Sequence, residues 1–159
     1  MDRKNSPGLM SHTLPYQSCI LKQQRIKDLF STCTTQEQKY EKIIALGQQL
    51  PAFPSELKTP DRLVKGCQSQ MYLHTTCAEG KILFKAHSEA LISAGLAALL
   101  LLAYNEEPPE AILACPPSFL EELGIHASLS PSRSNGLFSL FLRMKQEVVN
   151  FLVAQSAQG

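Results

Sequence analysis

The stretch "ALISAGLAALLLLAY", Ala90 to Tyr104, carries no charge over fifteen residues and is interrupted only by Ser93 and Gly95. A helix that crosses a bilayer needs roughly 18 or more apolar residues, so this run is too short to span one and reads as a helix buried inside a globular domain. The chain of 159 residues suits one such domain, large enough for folding to bury roughly two-thirds of the surface that the unfolded chain exposes. Ser88 stands where it can cap the helix.

Charged residues make up 18% of the chain and the formal net charge is +1. That is far from the basic field needed to neutralise nucleic-acid phosphates, and nucleic acid is set aside as a partner. No membrane association is expected either. The five cysteines, Cys19, Cys33, Cys67, Cys77 and Cys115, are odd in number, widely spaced and without a C-x-x-C pair. With no secretory signal at the start, they fit a reducing, cytoplasmic setting rather than a disulfide framework.

Residues 1–18 mix charge, serine, glycine and two prolines without a period and are expected to be a flexible extension, leaving 19–156 as the folded domain. Ile26, Leu29, Phe30 and Cys33 recur at helical spacing, and Thr35 precedes Gln38 by three residues, the pattern of a capping box opening a second helix. The two read as a helical hairpin. Pro51, Pro54 and Pro60 then impose an extended connection. "QSQMYLHTT" and "KILFKAH" alternate as strands, with Met71, Leu73, Ile82 and Phe84 on one side and Tyr72, His74, Leu83 and Lys85 on the other. Gly80 supplies their reversal, and Leu63–Lys65 is a candidate third strand. Further on, Pro108, Pro109, Pro116 and Pro117 punctuate two short helices, which Gly124 terminates. Ser130 and Pro131 open a long amphipathic helix on which Leu137, Phe141, Met144, Val148 and Phe151 step by four, three, four and three. Helices, a central antiparallel hairpin, and helices again give an α+β domain with helices packed on one face of a small sheet.

Cys67 follows Gly66 where loop gives way to strand, a position suited to a reactive side chain. It also suits a small packing residue. Cations that could stabilise a thiolate there are Arg62, Lys65 and Arg133. Gln68, Ser69 and Gln70 can hold the loop through backbone hydrogen bonds.

"GCQSQ" ahead of a hairpin, "HSEALISAGL" opening the apolar helix and "LSPSRSNGL" opening the last one resemble, in that order, the SufE family of cysteine desulfuration proteins. The likeness includes "YEKIIALGQQLP" and runs from about Leu21 to the final helix. It implies a SufE/IscU-like two-layer domain and a protein that accepts sulfur from a SufS-type cysteine desulfurase, stimulates it, and feeds a downstream iron–sulfur scaffold. By this resemblance Cys67 is the persulfide-forming acceptor, because it matches the family's Gly-Cys-Gln-Ser motif. Gly66, Gln68, Ser69, Gln70, Glu89 and Arg133 are then supporting or partner-binding residues. Pyridoxal phosphate is expected on the desulfurase only, with neither cofactor nor metal on this chain. Where the family has glycine and the first acid of an Asp-Ser-Asp segment, this sequence has Ala86 and His87, ahead of Ser88 and Glu89.

A single nucleophilic sulfur suffices for such a carrier, since a thiolate attacks the outer sulfur of a donor persulfide as in thiol–disulfide exchange. A loop lying between the prolines and the hairpin also suggests that the sulfur is withdrawn toward the apolar body until a partner docks. Two alternatives stand beside this reading. Cys67, His74, Cys77 and His87 could make the protein an iron–sulfur or zinc scaffold, although alternation turns His74 and Cys77 to opposite faces and Cys77 falls at the far end of the hairpin. An adaptor without chemistry would not need Cys67 at all.

Overall fold

A computed structural model of the chain describes residues 16–158; most of the extension expected at the N-terminus lies outside them. The elements are α1 (Gln17–Leu29), α2 (Gln36–Gln48), β1 (Tyr72–Ala78), β2 (Lys81–His87), α3 (Leu91–Tyr104), α4 (Pro109–Ala114), α5 (Ser118–Glu122), α6 (Ile125–Ser128) and α7 (Pro131–Gln158). Two single turns of 3-10 helix, Ser55–Leu57 and Pro60–Arg62, break the proline-rich connection.

The apolar run forms α3, and Gly95 to Leu101, Ala103 and Tyr104 are all buried. A helix with no polar face calls for cover on most sides, and here Leu91 and Leu102 stay exposed. α2 and α1 pack on it, β2 lies against it, and α7 adds a further side. The first two helices are therefore not a hairpin resting on itself: their principal neighbour is α3. An apolar residue gains about 2 kcal/mol when it leaves water, and α3 offers more such surface than either partner helix offers the other.

Closest approach between α2 and α3 falls at two glycines. A methyl at Gly47 would lie 2.5 Å from the amide nitrogen of Gly95, and one at Gly95 would collide with the carbonyl oxygen of Ile43. The expected capping box opens α2: Thr35 Oγ1 accepts from the Gln38 amide at 3.1 Å, and Gln38 Oε1 accepts from the Thr35 amide at 3.3 Å. Ser88 behaves differently from expectation. Its hydroxyl accepts from Ala90 N at 3.3 Å, ahead of the helix, while the cap residue of α3 is Ala90 with no side-chain bond.

β1 and β2 pair antiparallel, with Thr75 opposite Phe84 and Cys77 opposite Ile82. Both turn residues, Glu79 and Gly80, have positive φ (54° and 78°), the signature of a type I′ two-residue turn. Leu73, Ile82, Phe84 and Ala86 are buried on the inner face. The outer edge of β2 is covered by the turn after α3. Asn105 accepts from Phe84 N at 2.6 Å and donates to Phe84 O at 3.2 Å, and Ile82 N donates to Glu107 O at 2.9 Å. The third strand does not form. Leu63 makes one isolated bridge to Tyr72, because Gly66 turns the chain away at φ 95°.

Buried Glu107 ties α1 to this turn, accepting from Ser18 at 2.9 Å and pairing with Lys22 at 2.5 Å. Tyr104 donates to the Cys115 carbonyl at 2.6 Å and stacks on Phe141 of α7, with ring centroids 5.3 Å apart. Cys33 lies past the end of α1, in the turn before α2, rather than on the helical stripe. The α+β class and the packing of helices on the sheet agree with the sequence reading. Gly95→Ala should destabilise the protein by about 1–3 kcal/mol in urea unfolding, since the added methyl meets backbone that cannot rotate aside; a cost below about 0.5 kcal/mol would show that the two helices separate easily.

Candidate functional site

The segment between the prolines and β1 is closed at its base by Val64 N donating to Met71 O at 2.8 Å. Residues 65–70 are thereby left as a small loop that faces α7. Gly66 is required twice: its φ of 95° is unfavourable to any side chain, and a methyl there would strike the hydroxyl of Ser139. Arg143 holds the loop's approach, donating from Nη1 to Leu63 O at 2.9 Å and from Nη2 to Asp61 O at 2.6 Å, while its Nε pairs with Glu147 at 2.9 Å. Nothing in the sequence singles out Arg143, since it sits on a helix face otherwise indistinguishable from solvated charge.

Cys67 is half-buried at the centre of this loop. Its Sγ lies 3.5 Å from the carbonyl oxygen of Gly136 on α7 and donates to it. A methyl at Gly136 would meet the sulfur at ordinary van der Waals contact, 3.6 Å from Sγ. Next to the thiol is a cavity of about 290 Å³. Its lining mixes hydroxyl groups, from Ser69, Ser93, Ser130 and Ser132, with apolar side chains, from Met71, Leu96, Leu137 and Leu140. The four serines come from three separate segments and are legible as a group only in three dimensions. Ser130 also caps α7, accepting from Arg133 N at 3.4 Å, as expected from the Ser-Pro pair.

Of the residues singled out in the sequence, Cys67, Gln68, Ser69 and Arg133 line this cavity together, and Gly66 shapes the loop. Gln70 is exposed and lies outside the lining. Glu89 is also elsewhere, 86% exposed and paired with His87 at 2.9 Å, while the His87 ring packs on Phe53. Lys65 borders a separate depression with Ser139 and Leu142. Arg62 turns to His74, donating from Nε to Nδ1 at 3.1 Å.

Burial raises the Cys67 pKa, and among the described residues no cation offsets it. Arg133 shares the cavity with the thiol. His74 is held below its usual pKa, first by burial and then by Arg62 and Lys85. The candidate metal set does not converge: Cys77 pairs with Ile82 beside the turn, at the opposite end of β1 from Cys67. Among the described residues no three His, Cys, Asp or Glu side chains gather. Cys19 and Cys115 are buried around Gln23, whose Nε2 lies 3.8 Å and 3.3 Å from their sulfurs, and burial pushes Cys19 up to about 12.

These environments set an order of reactivity. Alkylation of Cys67 by iodoacetamide should rise with pH to a midpoint above the free-thiol value of about 8.5, because the raised pKa keeps the thiol protonated longer. Cys19 should remain unlabelled. Arg133→Gln should leave the Cys67 midpoint in place; a fall in reactivity at fixed pH together with a higher midpoint would show that Arg133 supports the thiolate.

Sequence comparison identifies one family, and a solved structure shares the fold. The model of the Fe-S metabolism associated domain, SufE, matches residues 24–148. The sulfur acceptor protein CsdE of Escherichia coli is 41% identical over 117 residues, covering 72% of this chain and 80% of that protein. An uncharacterised SufE-like protein of Synechocystis sp. is 33% identical over 132 residues, 83% of each chain. The chloroplastic/mitochondrial SufE-like protein 1 of Arabidopsis thaliana is 32% identical over 150 residues, which span 94% of this chain and 40% of that one. A hypothetical protein from Thermus thermophilus, known from a solution structure, superposes with a TM-score of 0.69 at 25% identity, covering 83% of this chain and 96% of its own. A family match across most of the fold, from α1 to the middle of α7 and including the Cys67 loop, means that this chain belongs to the SufE family.

Proposed function

We propose that the protein accepts sulfur from a cysteine desulfurase onto Cys67, stimulates that enzyme, and passes the sulfur on for iron–sulfur cluster assembly. The observation that carries this reading is a single motif cysteine, held in a clamped loop beside a cavity lined by both hydroxyl and apolar side chains. The kinship to a named sulfur acceptor supports it.

The step balances without an oxidant. The Cys67 thiolate attacks the outer sulfur of the donor's cysteine persulfide, a new S–S bond forms on Cys67, and the donor cysteine leaves as thiolate. The persulfide proton exchanges with water. Because the thiol of the free protein is disfavoured as thiolate, reaction is gated: docking turns the loop outward, or brings it a cation or base that lowers the pKa. The donor is a SufS-type enzyme that carries its own pyridoxal phosphate, and this chain works without a resident cofactor, in the cytoplasm, ahead of a downstream scaffold. Arg133 and the rim of the cavity contribute to docking. Gln68 and Ser69 orient the loop.

Cys67→Ser should fold with an unchanged circular dichroism spectrum and abolish stimulation of desulfurase turnover, while Cys77→Ser retains it. Full stimulation by the Cys67 variant would overturn the assignment, and loss of a stoichiometric bound metal on that substitution would point to a scaffold instead.

A further inference from the structure

Transfer between two protein cysteines needs a reachable sulfur but no cavity, yet one of about 290 Å³ adjoins Cys67. That volume stands at the bottom of the range for small-molecule sites, about 300–1,000 Å³. The polar part of its lining is rich in donors. Ser69 brings a hydroxyl from the loop and Ser93 one from α3, while Ser130, Ser132 and Arg133 come from the start of α7. Arg133 is the one charged residue in the lining, and no carboxylate accompanies it. The α7 wall is also the N-terminus of a 28-residue helix, whose first amides carry partial positive charge.

Guanidinium, hydroxyls and helix end all favour an anion with several acceptor oxygens. The thiol and the buried side chains of Met71, Leu96 and Leu137 stand beside them and suit a polarisable, weakly hydrated group. A small sulfur oxyanion with a sulfane sulfur, of which thiosulfate is the simplest, combines the two. It is also small enough to enter while the loop is closed on α7, with Cys67 Sγ 3.5 Å from the Gly136 carbonyl oxygen.

We infer that thiosulfate binds in this cavity and loads sulfur onto Cys67 without a desulfurase; the inference rests on the reading of Cys67 as a persulfide carrier. The Cys67 thiolate attacks the outer sulfur of thiosulfate, an S–S bond forms on Cys67, the S–S bond of thiosulfate breaks, and sulfite leaves with the electron pair. Neither oxidant nor reductant is consumed. Arg133 and the helix end face the charge that gathers on the departing sulfite. Cyanide or a thiol then takes the outer sulfur and frees Cys67.

The full chain, incubated with thiosulfate alone, should gain one sulfur atom on the Cys67 peptide, at a rate that saturates with thiosulfate and rises with pH as the thiol ionises. With cyanide added, thiocyanate should form over repeated turnovers. Arg133→Gln should raise the half-saturating thiosulfate concentration at least tenfold, and Arg133→Lys should recover part of the loss. In the unmodified wild type, sodium sulfate should slow iodoacetamide labelling of Cys67 relative to sodium chloride of equal ionic strength, which reads the anion site without any activity. Loading that stays linear in thiosulfate, loading as fast on Cys77, an unchanged half-saturation in Arg133→Gln, or no protection by sulfate overturns the proposal. Cys67 loaded by desulfurase and free cysteine but not by thiosulfate removes the small-anion route alone; Cys67 loaded by neither removes the carrier reading as well.

Discussion

A helix without a polar face dictates this architecture. Apart from Ser93, α3 offers water nothing to solvate, so it must be covered over most of its circumference, with Leu91 and Leu102 left exposed, and no single neighbour can do that. α1 and α2 take part of its circumference, β2 another part, and α7 a further one. The glycines at positions 47 and 95 let the α2 and α3 backbones approach to a distance that a side chain would forbid. The turn that follows α3 then completes the edge of β2 through Asn105 and Glu107, so one apolar element organises both layers.

The reactive loop inherits its position from that arrangement. α7 is fixed on α3 and α4, and its first turns present Ser130, Ser132, Arg133 and Gly136 to the loop between the 3-10 turns and β1. Arg143 anchors the loop's approach from the next turns of the same helix, and Gly66 allows it to lie against Ser139. Cys67 is thus held by elements distant in sequence, in surroundings that keep its thiol protonated. That is a resting state suited to a sulfur carrier, for which an exposed, ionised thiolate would exchange with any small thiol.

Much of this was legible in the sequence because the relevant signals are local. The Thr35 capping box, the Glu79–Gly80 reversal, the Ser130–Pro131 start and the fifteen apolar residues each specify their own geometry within a few positions. What the sequence left unread depends on contacts between distant segments. The hairpin expected of α1 and α2 gave way to packing on α3, and the short strand at Leu63–Lys65 was cut off by the loop that Gly66 and Ser139 shape. Ser88 bonds one residue too early to cap α3. At the site, Cys67 and Arg133 could be found from motifs, whereas Arg143, Ser93 and Gly136 acquire meaning only through what stands opposite them, and Glu89 proves to face His87 instead of the cavity.

The central claim is that one cysteine, Cys67, is the sulfur acceptor because its loop and cavity are built for it, while four other thiols are not. Peptide-resolved mass spectrometry after incubation with a cysteine desulfurase and free cysteine, without other small thiols, tests this directly. The account predicts one additional sulfur atom on the peptide that contains Cys67 and none on those containing Cys19, Cys33, Cys77 or Cys115. Sulfur found on those peptides, with Cys67 unmodified, would contradict it.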